Sequence, residues 1–356
     1  MATSIIEKTK EHVKEYVKLF YVLPTYKQTL EQYKTCSKRK IILIGTPAHG
    51  NLGDQAIAIS ELRFIHDFKQ DEELFEIPTP LYKTYRRYIK KYCKHDDLII
   101  ISGGGWMGNL WVHNELMIRD IVADYPMNQI IIFPQTLYYS DDDNGHMVAR
   151  DSRDVFEKHK NIYLSVRDMA SYMAAQKLLG FKRDHLVFCP DMVLYGVLAK
   201  KQPQEHKNTL ALICMRQDVE KSTNITGLES IVASKGYISK ETTTVYNHLV
   251  KIKDRDKLVR ELIDQYSEAA FIITDRLHAM IFSLLAGIPC YVFNNGTGKV
   301  FGVATYLQEA NMPVKMLNEK DDIIHETFAM NGRTYEMSDE MKECFCRLGS
   351  LLCMEG

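Results

Sequence analysis

The chain has 356 residues, long for one core and comfortable for two domains. Its 45 lysines and arginines stand against 46 aspartates and glutamates, a formal charge of −1. No global positive field exists to gather DNA or RNA, so nucleic acid is excluded as a partner by bulk electrostatics. From the N-terminus, MATSIIEKTKEHVKEYVKLF is charged throughout and lacks the apolar core of a secretory leader. No apolar run reaches the roughly 20 residues that span a bilayer. The eight cysteines hold no C-x-x-C pair, and Cys344 with Cys346 lack a second pair at zinc-ribbon spacing. The expectation is a cytoplasmic protein with reduced thiols, at most peripheral at the inner face of a membrane.

Strand-like runs then alternate with helix-like ones, the mark of parallel α/β construction. IILIGT, LFEIP, LIIISGGG, QIIIFPQT, IYLSVRD and HLVFC are six predicted strands, with helices over 54–69, 110–125 and 168–179 between them. They predict one doubly wound sheet. The stretch LYKTYRRYIKKYCKH, residues 81–95, interleaves lysines and arginines with four tyrosines on a predicted helix. Such a face suits either anionic lipid headgroups or a solvated helix whose tyrosines enter the core. A polar segment from Ala199, AKKQPQEHKN, interrupts the pattern and marks a domain boundary. Alternation resumes with LALICMR, TTTVY, AAFIITD and CYVF and with helices over 254–266 and 278–285. The predicted organisation is a Rossmann-like domain over 1–200 and a smaller one over 205–320. An amphipathic helix within 321–356 packs back on the first domain.

Ligands of open α/β sheets gather beyond the carboxyl ends of the strands, and the polar motifs fall there. In FIITDRLHAMIFSLLAGIPCYVF, Arg276 and His278 stand where strand turns into helix, with Thr274 or Asp275 as the cap. Free N–H groups, the helix dipole and a guanidinium fork suit an anion. A cation and a helix N-terminus beside His278 suit it to accept a proton. The structural alternative pairs Arg276 with Asp275. Arg167 and Arg216 each follow a strand, Arg167 with Asp168 as its alternative partner. Lys299 lies in the glycine-rich NNGTGKV, facing a phosphate or solvent. The loop from Gly45 matches neither the G-x-G-x-x-G fingerprint nor a P-loop. Its Asn51 and Asp54 suit sugar hydroxyls or a turn and helix cap. Gly104 and Trp106 in GGGWMGNLW offer close backbone approach and an apolar face for a sugar ring, while Trp111 lines the same loop or the core. No histidine and carboxylate cluster has the spacing of a catalytic metal site.

The series GTPAHGNLGDQAIAISELRFI, GGGWMGNLW, SVRD, PDMVL and TDRLHAMIFSLLAGIP resembles the polysaccharide pyruvyl transferase family from about Ile41 to Gly302. That resemblance implies a GT-B-like fold, two Rossmann-like domains facing across a cleft. It also implies transfer of a pyruvyl group from phosphoenolpyruvate to two hydroxyls of a sugar as a cyclic ketal, with no other cofactor and no metal. Under it His278 and Asp54 are the catalytic candidates, and Arg276, Leu277, Arg167, Arg216 and Lys299 hold the donor. Asn51, Asp54, Gly104 and Trp106 meet a sugar acceptor, lipid-linked or otherwise. A GT-B glycosyltransferase with a nucleotide-sugar donor would want a ribose-binding acid after the glycine-rich turn, and NNGTGKVFG offers none. A noncatalytic sugar-phosphate-binding module is the third reading.

Overall fold

The computed structural model describes residues 26–196, 209–218, 220–221 and 226–354. The polar boundary segment at 199–208 and the N-terminal run at 1–20 lie outside them, and residues 26–35 are helical. Seven parallel strands form the first sheet: β1 (Lys40–Thr46), β2 (Glu73–Pro78), β3 (Leu98–Ile101), β4 (Gly104–Gly108), β5 (Ile130–Tyr138), β6 (Ile162–Val166) and β7 (Leu186–Phe188). Their order is β2-β1-β3-β5-β6-β7, with β4 beside β5. The second sheet has β8 (Leu210–Cys214), β9 (Ile238–Glu241), β10 (Phe271–Thr274), β11 (Cys290–Phe293) and β12 (Val314–Leu317), ordered β12-β11-β10-β8-β9 and also parallel. Two Rossmann-like α/β domains of this kind facing across a cleft make the fold GT-B-like.

Burial on both faces explains why these strands read as unbroken apolar runs. Ile42 and Ile44 of β1 face one core, whereas Ile41 and Leu43 face another that continues through the helix Leu52–Phe68 into the second sheet. The two domains thus share apolar packing. The helix Leu52–Phe68 lies against both Met192–Gly196 and Ile252–Ser267. Gly196 is required there, because a Cβ would stand 2.1 Å from Ser60 Oγ. The C-terminal helix Asp339–Leu352 sits on the first domain, with Phe345 against Phe64 and Tyr195, and Leu351 O accepting from Gln129 Nε2.

One expected strand is absent, two further strands are present, and the expected basic helix forms. TTTVY, residues 242–246, forms no strand: it contributes only a bridge from Val245 to Asn51, and the edge strand is β9 just before it. Its backbone instead staples the first-domain loop, through Leu52 N to Thr244 O at 2.8 Å and Tyr246 N to Gly50 O at 2.8 Å. β4 and β12 were not expected as strands, since glycines fill one and the other, VKML, is a short edge strand broken by an exposed lysine. The basic stretch is the helix Thr79–Tyr92, kinked at Tyr85. Arg86 pairs with Asp120 and Asp124, Lys90 pairs with Asp124, and Tyr82 is buried, so much of its charge is committed within the protein.

Candidate active site

Each sheet reverses its strand order once, between β1 and β3 in the first and between β8 and β10 in the second. Loops after these four strands diverge, opening a crevice at the carboxyl edge of each sheet. The two crevices face each other and enclose a cleft of about 440 Å³. Asn51, Asp54, Trp106, Arg167, Arg216, Arg276, Leu277, His278 and Lys299 all line it. Gly104 does not: it lies behind Trp106, whose ring a Cβ would meet at 2.6 Å, and Gly103 and Gly105 reach the cleft instead. Trp111 is half-buried at the cleft wall rather than in the core.

On the second-domain side, the helix Leu277–Leu285 begins with Arg276 as its N-cap, in extended conformation and with no side-chain cap bond. Neither Thr274 nor Asp275 caps it. Thr274 Oγ1 accepts from Arg276 N and donates to Cys214 O, and Asp275 Oδ1 accepts from Arg216 N at 2.7 Å. The first N–H groups of this helix therefore have no side-chain cap facing them. Burial pushes the Asp275 carboxyl up. The alternative pairing of Arg276 with Asp275 is absent. Arg276 lies 3.9 Å from Asp218, and its Nε has no hydrogen-bond partner among the described residues. Arg216 donates to Asp218 at 2.9 and 3.0 Å and lies 3.2 Å from Glu220. Lys299 is not a solvated loop residue: it opens the helix Lys299–Glu309 after Gly298, is 8% exposed, and reaches Glu220 at 2.5 Å. Burial, opposed by Glu220, lowers its amine below the usual lysine range.

From the first domain, Arg167 projects beyond β6 and is 1% exposed. It bonds Thr136 Oγ1 at 3.0 Å and Asp191, and not Asp168, which caps the following helix by accepting from Ser171 N. Asp191 is fully buried and lies 3.5 Å from His278 Nε2. Although burial by itself would raise it, the charges of Arg167 and His278 hold the Asp191 carboxyl well below the usual range. His278 therefore faces a carboxylate as well as cations, which corrects the expectation built on positive neighbours alone. Asp191 belongs to the PDMVL motif, and its place three residues past the end of β7 was the available signal.

Glycines let these groups meet. A Cβ on Gly53 would stand 2.2 Å from His278 Nδ1, and one on Gly105 would stand 2.8 Å from Arg167 Nη2 and 3.2 Å from Lys299 Nζ. Asn51 caps the helix Leu52–Phe68, its side chain accepting from Gly53 N and donating to Asp54 at 2.8 Å, so the capping and cleft-facing roles coincide. His49 Nε2 lies 3.5 Å from Asp54. Trp106 is fixed by Nε1–H to Gly103 O at 2.8 Å. Beneath this loop, the buried Glu61 accepts from Gly103 N at 2.6 Å and Ser102 Oγ at 2.7 Å, and burial pushes its carboxyl up to about 8. Among the described residues, no group of three or more His, Cys, Asp or Glu is placed to hold a metal ion, and no helix is long and apolar enough to cross a membrane.

Comparison with known proteins adds to this geometry. The profile of the family described as Polysaccharide pyruvyl transferase matches residues 51–297. General stress protein 30 of Bacillus subtilis is 30% identical over 266 residues, covering 74% of this chain and 76% of that protein. Pyruvyl transferase 1 of Schizosaccharomyces pombe is 26% identical over 278 residues, covering 74% and 68%. A crystal structure of a Klebsiella pneumoniae protein of uncharacterised function aligns over 84% of this chain and 99% of its own, with a TM-score of 0.54 and 17% identity, a likeness of fold.

Proposed function

This chain belongs to the polysaccharide pyruvyl transferase family, and we propose that its cleft moves a pyruvyl group from phosphoenolpyruvate onto two hydroxyls of one sugar in a surface-polysaccharide precursor. The observation that carries this reading is the convergence of Arg167, Arg216, Arg276 and Lys299 around His278, at a helix N-terminus without a side-chain cap. Phosphoenolpyruvate brings a carboxylate and a phosphate, and fixed cations position both before reaction.

In the proposed sequence, protonated His278 gives a proton to the methylene carbon, and the C2 centre gains oxocarbenium character. One sugar hydroxyl adds to C2 and loses its proton. The C2–O bond to phosphate then breaks, phosphate taking the electron pair, and a second hydroxyl adds and loses its proton to close the ketal. One of the two released protons restores His278 and the other leaves with phosphate. Asp54, at the opposite wall with Asn51, is the acceptor-side base, and the Trp106 face supports the sugar. No electron enters or leaves, so no redox cofactor is called for. A lipid-linked acceptor would enter past Lys83 and Trp111 at the cleft wall, beside the helix Thr79–Tyr92. This reading places the enzyme in the cytoplasm, with membrane contact limited to that helix.

Calorimetric titration with phosphoenolpyruvate, beside UDP and UDP-sugars, tests the donor. Saturable binding of phosphoenolpyruvate that is lost in Arg276→Ala supports the reading. Binding of UDP alone overturns it in favour of glycosyl transfer.

A further inference from the structure

Asp191 has no role in the reading above, yet it links the first-domain cation Arg167 to the second-domain His278. Its Oδ2 is shared: Arg167 Nη1 lies at 2.5 Å and His278 Nε2 at 3.5 Å. Its Oδ1 is fixed by the backbone N–H of Val193 at 3.0 Å, and its own N–H points at the Tyr306 hydroxyl at 3.5 Å. The carboxylate is thus immobile and has one direction in which to accept a further proton, toward the imidazole. Of the two ring nitrogens, Nε2 is the one buried without a hydrogen-bond partner at bonding distance. Nδ1 lies on the other edge of the ring, against Gly53 at the start of the acceptor-side helix.

We infer that Asp191 is a positioning residue that keeps a proton on His278 Nε2 and so leaves Nδ1 as the nitrogen that exchanges a proton with the substrate. A carboxylate behind an imidazole fixes the tautomer and ring plane, and supplies the counter-charge when the ring is protonated. The two partners come from different domains, so the proton-transfer group is aligned only when the cleft has the width seen here. The inference rests on the proposed use of His278 in proton transfer.

Asp191→Asn and His278→Gln, made singly and together, test it. The readout is kcat for phosphate release from phosphoenolpyruvate with p-nitrophenyl hexosides as acceptors. Each single variant loses about 100-fold or more, and the double variant is no slower than His278→Gln, within about threefold. Freed Arg167 changes KM for phosphoenolpyruvate without altering that coupling. Multiplying losses would mean that Asp191 serves the fold alone, and would overturn the inference. A second measurement needs no turnover. In protein labelled with ¹⁵N-histidine, the ring signal that vanishes in His278→Gln should show the neutral ring protonated on Nε2, and Asp191→Asn should shift it toward the Nδ1–H form. A wild-type ring protonated on Nδ1 refutes the assignment even if Asp191→Asn does not fold. Absence of phosphate release by the wild-type enzyme refutes the donor reading and leaves the tautomer result to decide on Asp191.

Discussion

Gly53→Ala would probe the contact between the two domains with a single methyl group. Gly53 is the second residue of the helix Leu52–Phe68, where alanine is intrinsically preferred by up to roughly 1 kcal/mol. Its added Cβ, however, would stand 2.2 Å from His278 Nδ1, 2.4 Å from Cγ and 2.7 Å from Cβ. Rotating the imidazole cannot clear the last of these, because His278 Cβ is fixed by its own helix, so the helices themselves must separate. Overpacking of this kind costs about 1–3 kcal/mol, which exceeds the propensity gain and leaves a net loss of up to about 2 kcal/mol. Displacing a proton-transfer group by about 1 Å costs on the order of 100-fold in rate. Thermal denaturation and phosphate release measured on the same preparation check both numbers. A variant as active as wild type, with an unchanged or raised melting temperature, would refute the claim that His278 is held against this helix. Gly105→Ala is the contrast. Its Cβ would meet the far ends of Arg167 and Lys299, which can move, so KM for phosphoenolpyruvate should rise while kcat changes little.

Arg276→Ala removes a guanidinium whose Nε has no hydrogen-bond partner among the described residues, and the loss of a charge-assisted bond worth about 1.5–3 kcal/mol predicts roughly 10- to 150-fold weaker phosphoenolpyruvate binding by calorimetry. Unchanged affinity would remove Arg276 from the donor site. Glu61, pushed up from 4.5 to about 8 in the fold, keeps its proton over a range where the unfolded chain has released it. Its contribution to stability is therefore present below about pH 4.5 and is lost as pH rises toward 8. Glu61→Gln should gain stability relative to wild type between pH 5.5 and 8 in urea denaturation, and a constant difference across that range would contradict the assignment. Trp106→Ala should raise KM for the sugar acceptor and leave phosphoenolpyruvate affinity within about twofold, because the ring packs on Gly103 and Gly104 rather than on the cations. An equal effect on both substrates would count against a separate sugar-facing wall.

Much of this architecture was legible because parallel strands buried on both faces are runs of isoleucine, leucine and valine, and such runs survive without knowledge of their neighbours. That most of the expected residues would share one cleft was legible for a related reason. A parallel sheet sends its loops to one edge, so polar residues just past strands had to converge. What escaped was pairing. Arg167 was set against its sequence neighbour Asp168, and Arg276 against Asp275, but a strand end turns adjacent side chains in different directions. Asp168 caps a helix, and Asp275 accepts from the backbone N–H of Arg216, two residues beyond another strand. The acids that do approach the arginines, Asp191 and Asp218, are 24 and 58 positions away in the chain. TTTVY misled in the same way, since the backbone of its β-favouring residues pairs with a loop of the other domain. His278 is the most consequential case. Local sequence places a cation and a helix N-terminus beside it, whereas the fold brings a buried carboxylate from the other domain to within 3.5 Å of its Nε2. The surroundings of that imidazole are set by the approach of the two domains, which no local stretch of sequence records.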